Sequence, residues 1–268
     1  MQQRYPLNHP LFYVVMFCAT VWFYTKAYIT DVPGMHERTN WYHSHQNFVR
    51  YSQRFLFGIL AIIFFYFLLQ YGAAIRSVTG LQWLLIGSFP LIAILYYGVV
   101  GFLNLRNIGW LKPFWIGFTW AGMVNIYPVL FYDITHSIPT AVSPVTVLLF
   151  VKNLMFITVL CIMFDIKDYA DDHNRQLKTF VVKKGLRYTI FYILIPLSMA
   201  GLCSFWLYST LSHFSVQKII LNTIPFICMI SVAYSMHRRK PILYYLFLID
   251  GLMLLKAFCG SMAMVFFS

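Results

Sequence analysis

Residues 143–187 read SPVTVLLFVKNLMFITVLCIMFDIKDYADDHNRQLKTFVVKKGLR, an apolar run followed at once by a segment dense in charge. The first part, 143–164, carries Lys152 as its single charged residue. It has the length, about 20 residues, that a helix needs to cross a bilayer. The second part, 165–187, holds four of the eight acidic residues of the chain. The stretch predicts a membrane-spanning helix that ends in a charged segment at the membrane surface.

The composition of the whole chain extends this prediction. Of its 268 residues, 60% are hydrophobic and 10% are charged, whereas soluble domains contain about 45–50% apolar and about 25% charged residues. A single soluble core of this size cannot bury the excess, which excludes a soluble enzyme, a disordered chain and a DNA-binding domain. We expect a multi-pass membrane protein that has the lipid bilayer as its partner and does not bind nucleic acid.

The apolar runs predict an all-α, multi-pass transmembrane bundle of about eight helices. These helices are expected near 11–29, 54–73, 81–101, 113–132, 143–164, 188–209, 216–236 and 241–267. No internal repeat and no linker divides them. Residues 1–268 are therefore predicted to form a single transmembrane domain, which includes the Asp-rich segment 165–187.

The basic residues predict how the chain is oriented in the membrane. The loops after the first, third, fifth and seventh predicted helices contain fourteen Lys and Arg residues, whereas the opposite side contains Arg4, Arg76 and Lys218. Basic loops of membrane proteins stay on the cytoplasmic side, so we interpret the excess of basic residues, a net charge of +12, as a signal of membrane orientation. We expect a protein of the cell membrane with segment 165–187 in the cytoplasm and both termini outside.

Three aspartates of the Asp-rich segment have a helical spacing. Asp165, Asp168 and Asp172 lie at i, i+3 and i+7, which places them on one face if the helix continues past the membrane. Carboxylates held so close repel one another, and Mg²⁺, which prefers oxygen ligands, would relieve that repulsion. The alternative is a solvated loop whose mixed charges anchor the helix end.

Basic residues follow the aspartates directly. Arg175 and Lys178 are of the kind that face phosphate oxygens. A carboxylate cluster followed by cations, at the end of an aromatic-rich bundle, fits an amphipathic substrate with a diphosphate head and a hydrocarbon tail.

The segment resembles the second aspartate motif of the UbiA-type intramembrane prenyltransferases, which reads roughly D-I-x-D-x-x-G-D-R-x-x-G-I-K-T-L-P-V-x-x-G. The matching residues are Asp165, Ile166, Asp168, Asp172, Lys178, Thr179, Val182 and Gly185. The departures are Asp171 for Gly, His173 for Arg, Gln176 for Gly and Val181 for Pro. The run LRNIGWLK at 105–112 is similar to the family's second cytoplasmic loop.

This resemblance implies a helical bundle with a central cavity that opens to the cytoplasmic side. It implies Mg²⁺ bound by Asp165, Asp168 and Asp172, and a prenyl diphosphate donor that reacts with a hydrophobic acceptor, aromatic or lipid-like. The implied contacts to the diphosphate are Arg106, Lys112, Arg175 and Lys178. Metal and cations would stabilise charge on the leaving diphosphate, and apolar walls would exclude water from the carbocation.

The chain departs from the family in its first part. The family has nine spans, and its first aspartate motif reads N-D-x-x-D-x-x-x-D. The corresponding register, Thr25–Pro33, has no acid at the three carboxylate positions and has Lys26 at the first of them. We expect Lys26 either to contact the diphosphate directly or to extend to the membrane interface.

Lys152 and Asp250 are ionisable residues inside predicted spans, and such residues are functional candidates. Lys152 is expected to pair with Asp133 or Asp250 or to line a polar cavity, and Lys256 to pair with Asp250. Three functions are left open: a prenyltransferase, a non-catalytic protein that binds isoprenoid lipids or acts as a scaffold, and a transporter. The transporter is disfavoured because the sequence shows no inverted repeat.

Overall fold

The computed structural model describes residues 10–30, 37–97, 108–138, 143–174, 176–238 and 240–267. Every regular element within these ranges is a helix, which confirms the predicted all-α fold for this part of the chain. The helices are α1 (Pro10–Thr30), α2 (Glu37–Ser44), α3 (Gln46–Gln70), α4 (Gly72–Arg76), α5 (Gly80–Tyr97), α6 (Lys112–Thr135), α7 (Pro144–Lys167), α8 (Tyr169–Asn174), α9 (Phe180–Lys184), α10 (Leu186–Leu211), α11 (Val216–Ser235) and α12 (Ile242–Phe266).

Six of these helices are long and apolar enough to cross a membrane, namely α3, α6, α7, α10, α11 and α12. The chain is therefore a multi-pass membrane protein, as its composition predicts. The other two predicted spans coincide with α1 and α5. Their apolar stretches, Pro10–Thr25 and Gly80–Tyr96, are shorter than a full span. The described residues thus contain six candidate spans, and the count of eight stays a prediction.

Two of the long helices contain a π-helical segment just before a proline. The segment is Gly122–Ile126 in α6, ahead of Pro128, and Thr189–Leu194 in α10, ahead of Pro196. Proline donates no N–H and crowds the carbonyl four residues earlier, which in both helices belongs to the π segment. The wider turn lets each helix continue through its proline.

The chain forms two compact units. The first consists of Met1–Gly80 and Phe131–Pro139. Within it α1 packs along α3, and the ring of Phe131 lies 5.6 Å from that of Phe12 and 5.4 Å from that of Phe67, centre to centre. The second consists of Leu81–Leu130 and Thr140–Ser268. The single folding domain stays a prediction.

Helix α7 is central to the second unit, where it packs against α6, α10 and α12. A Cβ added to Gly117 of α6 would lie 2.4 Å from the Oγ1 of Thr158, and one added to Gly201 of α10 would lie 3.1 Å from the Cβ of Met155. Glycine at these crossings lets the helix backbones approach closely. The core side chains of α7 that are fully buried are Phe156, Val159, Ile162 and Met163.

Candidate functional site

The end of α7 that carries Asp165 lies beside the start of α6, where Lys112 is the first helical residue. The Nζ of Lys112 donates to the Oδ1 of Asp165 across 2.9 Å. The Asp165 side chain is 3% exposed and that of Lys112 is 24% exposed, so solvent is largely kept from the pair. The fold thus joins a predicted metal ligand to a predicted diphosphate contact in one ion pair.

Each charge of this pair lies at a helix end that disfavours it. The N-terminal end of a helix carries partial positive charge, and the C-terminal end carries partial negative charge. Lys112 lies at the first kind of end, and Asp165 lies two residues before the last residue of α7. Because each side chain neutralises the other, the pair stabilises the contact between the two helix ends.

The segment before α6 packs closely on the segment before α9. A Cβ added to Gly109 would lie 2.7 Å from the carbonyl carbon of Lys178 and 2.8 Å from the backbone nitrogen of Thr179. The ring of Phe180 lies 6.2 Å from that of Trp110. Glycine is required at position 109 for this approach, which places the run 108–112 against the Asp-rich segment.

The three aspartates occupy different surroundings. Helix α7 ends at Lys167, and Asp168 is the residue at which the predicted continuous helix is interrupted before α8 begins. The Asp168 side chain is 43% exposed, and its Oδ1 lies 2.6 Å from the Nζ of Lys167. Asp172 belongs to α8, but its side chain lies outside the described residues.

The remaining predicted diphosphate contacts are only partly described. Lys178 is exposed. Arg106 and Arg175 lie outside the described residues, and of Lys26 only the backbone, within α1, is described. Among the side chains that the structure does describe, no group of three or more His, Cys, Asp or Glu could hold a metal ion.

A second polar cluster lies inside the membrane-spanning helices of the second unit. The Nζ of Lys256 donates to the Oδ1 of Asn153 across 2.6 Å, and the Nδ2 of Asn153 donates to the Oδ1 of Asn125 across 2.7 Å. The Nδ2 of Asn125 in turn donates to the carbonyl oxygen of Ala121 across 2.8 Å. We call Lys256, Asn153 and Asn125 the intramembrane polar chain.

Lys152 directly precedes Asn153 of the intramembrane polar chain and lies among aromatic rings. Its Nζ is 5.5 Å from the ring centre of Phe205 and 5.7 Å from that of Tyr208. Asp250 is exposed on α12, and no described carboxylate of the second unit pairs with Lys152 or Lys256. The expected pairing with Asp250 therefore does not occur. Sequence reasoning also missed both asparagines, although a polar amide inside an apolar span is a readable signal.

Comparison of the chain with protein-family models, with curated proteins and with solved structures finds no match.

Proposed function

We propose that the protein is a membrane-embedded, prenyltransferase-like enzyme that transfers an isoprenyl group from a prenyl diphosphate to an aromatic or lipid-like acceptor. The observation that supports the proposal is the packing of run 108–112 against segment 165–180, with Lys112 on Asp165 and Gly109 on Lys178. These are the two stretches that resemble the UbiA-type enzymes, and they meet at one end of α6 and α7.

The carboxylate oxygens at this end of α7 are ligands of the kind that Mg²⁺ binds. Asp168 offers an exposed carboxylate, and hard oxygen ligands of this type, together with substrate phosphates, are what Mg²⁺ prefers. One oxygen of Asp165 is bonded to Lys112, so Asp168 would be the leading protein ligand, with Asp172 beside it in sequence. When bound, Mg²⁺ would neutralise negative charge on the leaving diphosphate.

The protein's own side chains have separate roles in this proposal. The exposed ammonium group of Lys178 attracts the diphosphate, while the Lys112–Asp165 pair holds the two loops in position. The apolar helices receive the hydrocarbon tail and keep water away from an allylic cation. The site is proposed to face the cytoplasm, because the surrounding loops are basic.

A second candidate function is binding of an isoprenoid lipid without turnover. The Lys112–Asp165 pair favours it, since a carboxylate that a lysine already neutralises has less need of a divalent cation. The absence of an acid at the carboxylate positions of Thr25–Pro33 favours it as well.

Enzyme and binding protein are distinguished by one pair of measurements on the full chain in lipid nanodiscs. Radiolabelled farnesyl diphosphate is added with and without Mg²⁺ to nanodiscs that also contain a lipophilic phenol, which can accept the farnesyl group and release a proton. Binding of the donor and formation of free diphosphate and farnesylated phenol are both followed. For the enzyme we expect Mg²⁺-dependent release of diphosphate that falls about a hundredfold in Asp168→Asn, because a ligand to the charge-stabilising metal is lost. The conservative variant Asp168→Glu is expected to keep a measurable part of it.

Two lysine substitutions form a matched pair, with Lys178 inside the proposed site and Lys218 outside it. Lys178→Gln is expected to weaken farnesyl diphosphate binding about tenfold, the loss of one charge-assisted hydrogen bond. Lys218→Gln removes a lysine that is predicted to lie on the opposite side of the membrane, and it is expected to change nothing. Binding without release, whether or not it requires Mg²⁺, would favour the second candidate. Binding that is absent, or unaffected by Asp168→Asn and Lys178→Gln, would overturn both.

A further inference from the structure

Two lysines lie inside the membrane-spanning helices, well away from the Asp165 end of α7. Lys152 precedes Asp165 by thirteen residues, about 20 Å along the helix. It follows the start of α7 by about 12 Å, and Lys256 precedes the end of α12 by about 15 Å, at 1.5 Å per residue. Both ammonium groups therefore belong to the interior of the bilayer and not to its surface.

The two ammonium groups share one aromatic cluster. Lys152 and Phe156 stand on one face of α7, four residues apart, and the Nζ of Lys256 lies 4.0 Å from the ring centre of Phe156. The ring of Phe226 lies 5.4 Å from that of Phe156 and 6.3 Å from that of Phe205, the ring next to Lys152. The two lysines are thus linked through the rings of Phe156, Phe226 and Phe205.

No described carboxylate of the second unit balances these charges. The contacts of Lys256 are an amide oxygen and a ring face, and those of Lys152 are two ring faces. Such groups supply only partial negative charge, whereas charged residues inside a membrane are normally paired and mark a functional pathway. Each of the two lysines is partly buried as a whole residue.

We infer that Lys152 and Lys256 form a binding site for a lipophilic carboxylate, a single negative charge carried on an apolar body. The free energy of removing an ion from water rises steeply with its charge, so a monoanion is favoured over a phosphate at this depth. The ammonium groups donate to the carboxylate, and the rings of Phe156, Phe205 and Tyr208 contact the apolar body. The site is separate from the proposed diphosphate site and does not depend on it.

Two fluorescent probes that differ in charge test this inference. Pyrenebutyrate and pyrenebutanol share one aromatic body, and only the first carries a carboxylate. Each is titrated into the full chain in nanodiscs of uncharged lipid, with empty nanodiscs subtracted, and energy transfer from tryptophan to pyrene reports binding. We expect the protein to prefer pyrenebutyrate about tenfold or more, and Lys152→Gln or Lys256→Gln to remove most of that preference.

Lys218→Gln is the matched control, because the Nζ of Lys218 also lies over a ring, 5.5 Å from the centre of Phe214, yet outside this cluster. It is expected to keep the preference. If a glutamine variant fails to fold, the methionine variant at the same position, Lys152→Met or Lys256→Met, is used instead, because it retains the bulk of the side chain. Equal binding of the two probes, or a preference that survives all of these substitutions, would overturn the inference. Farnesyl diphosphate binding in the same variants is expected to stay unchanged, which separates this result from a failure of the proposed function.

Discussion

Helix α7 carries charge in two contrasting settings. Near its end, Asp165 meets Lys112 of α6, and the opposite charges lie 2.9 Å apart. In its middle, Lys152 and Lys256 of α12 share one aromatic cluster, and their contacts among the described residues are an amide oxygen and ring faces. The fold balances the charge of Asp165 by an ion pair, whereas no described carboxylate of the second unit pairs with Lys152 or Lys256. The role of a charged residue in a membrane helix is therefore better judged from whether the protein supplies the opposite charge than from the presence of the charge alone.

The contrast has opposite consequences for stability in the two regions. Removing one member of a buried, balanced pair leaves the other charge uncompensated, which is strongly destabilising. Removing a charge that has no counterion relieves its desolvation. Substitutions at the two regions therefore distinguish a charge that holds the fold together from one that the fold merely tolerates.

The largest effect is expected at the balanced end. Lys112→Met is expected to lower the free energy of unfolding by about 3–5 kcal/mol, because the carboxylate of Asp165 stays buried without its lysine. Unfolding by denaturant in detergent micelles measures the change. The double variant Lys112→Met with Asp165→Leu is expected to recover most of the loss, since it removes both charges. A double variant as unstable as the single one would show that the pair contributes by packing and not by charge.

A smaller effect is expected in the middle of the helix. Asn153→Leu keeps the approximate size of the side chain but deprives Lys256 of its acceptor and Asn125 of a donor. We expect a loss of about 1–3 kcal/mol in the free energy of unfolding, measured in the same way. Adding Lys256→Met is expected to restore part of it, because the ammonium group that needed the acceptor is then gone. If the addition instead destabilises further, Lys256 stabilises the fold and the contrast drawn between the two regions is wrong.

The sequence predicts the helical fold, but it predicts neither the Lys112–Asp165 pair nor the polar contacts in the middle of α7. Long apolar runs fix helices because a backbone inside a bilayer must satisfy its own hydrogen bonds. The sequence assigns Lys112 to a diphosphate and Asp165 to a metal ion, and neither that ion pair nor the close approach of Gly109 to Lys178 can be inferred from local spacing. Contacts such as Lys256 with Asn153 join residues 103 positions apart, and nothing in the spacing of either residue specifies its partner.

The expected ion pair between Asp250 and Lys256 does not form, for a related reason. Asp250 shares α12 with Lys256, six residues away, but the helical period of 3.6 residues turns the two side chains to different faces. Asp250 is exposed whereas Lys256 points to Asn153. Proximity in sequence is a poor guide to ion pairs on a helix unless the separation is three or four residues.

The smallest effect is expected at Lys167, whose ion pair with Asp168 is partly exposed to solvent. Lys167→Met is expected to change the free energy of unfolding by less than about 1 kcal/mol, as for other exposed pairs. The informative measurement is Mg²⁺-dependent binding of farnesyl diphosphate. If Asp168 is a metal ligand, Lys167 competes with Mg²⁺ for its carboxylate, so the substitution is expected to leave the binding unchanged or strengthen it. Weaker binding would mean that Lys167 itself contributes to diphosphate binding, and the proposed competition between Lys167 and Mg²⁺ for the carboxylate of Asp168 would be wrong.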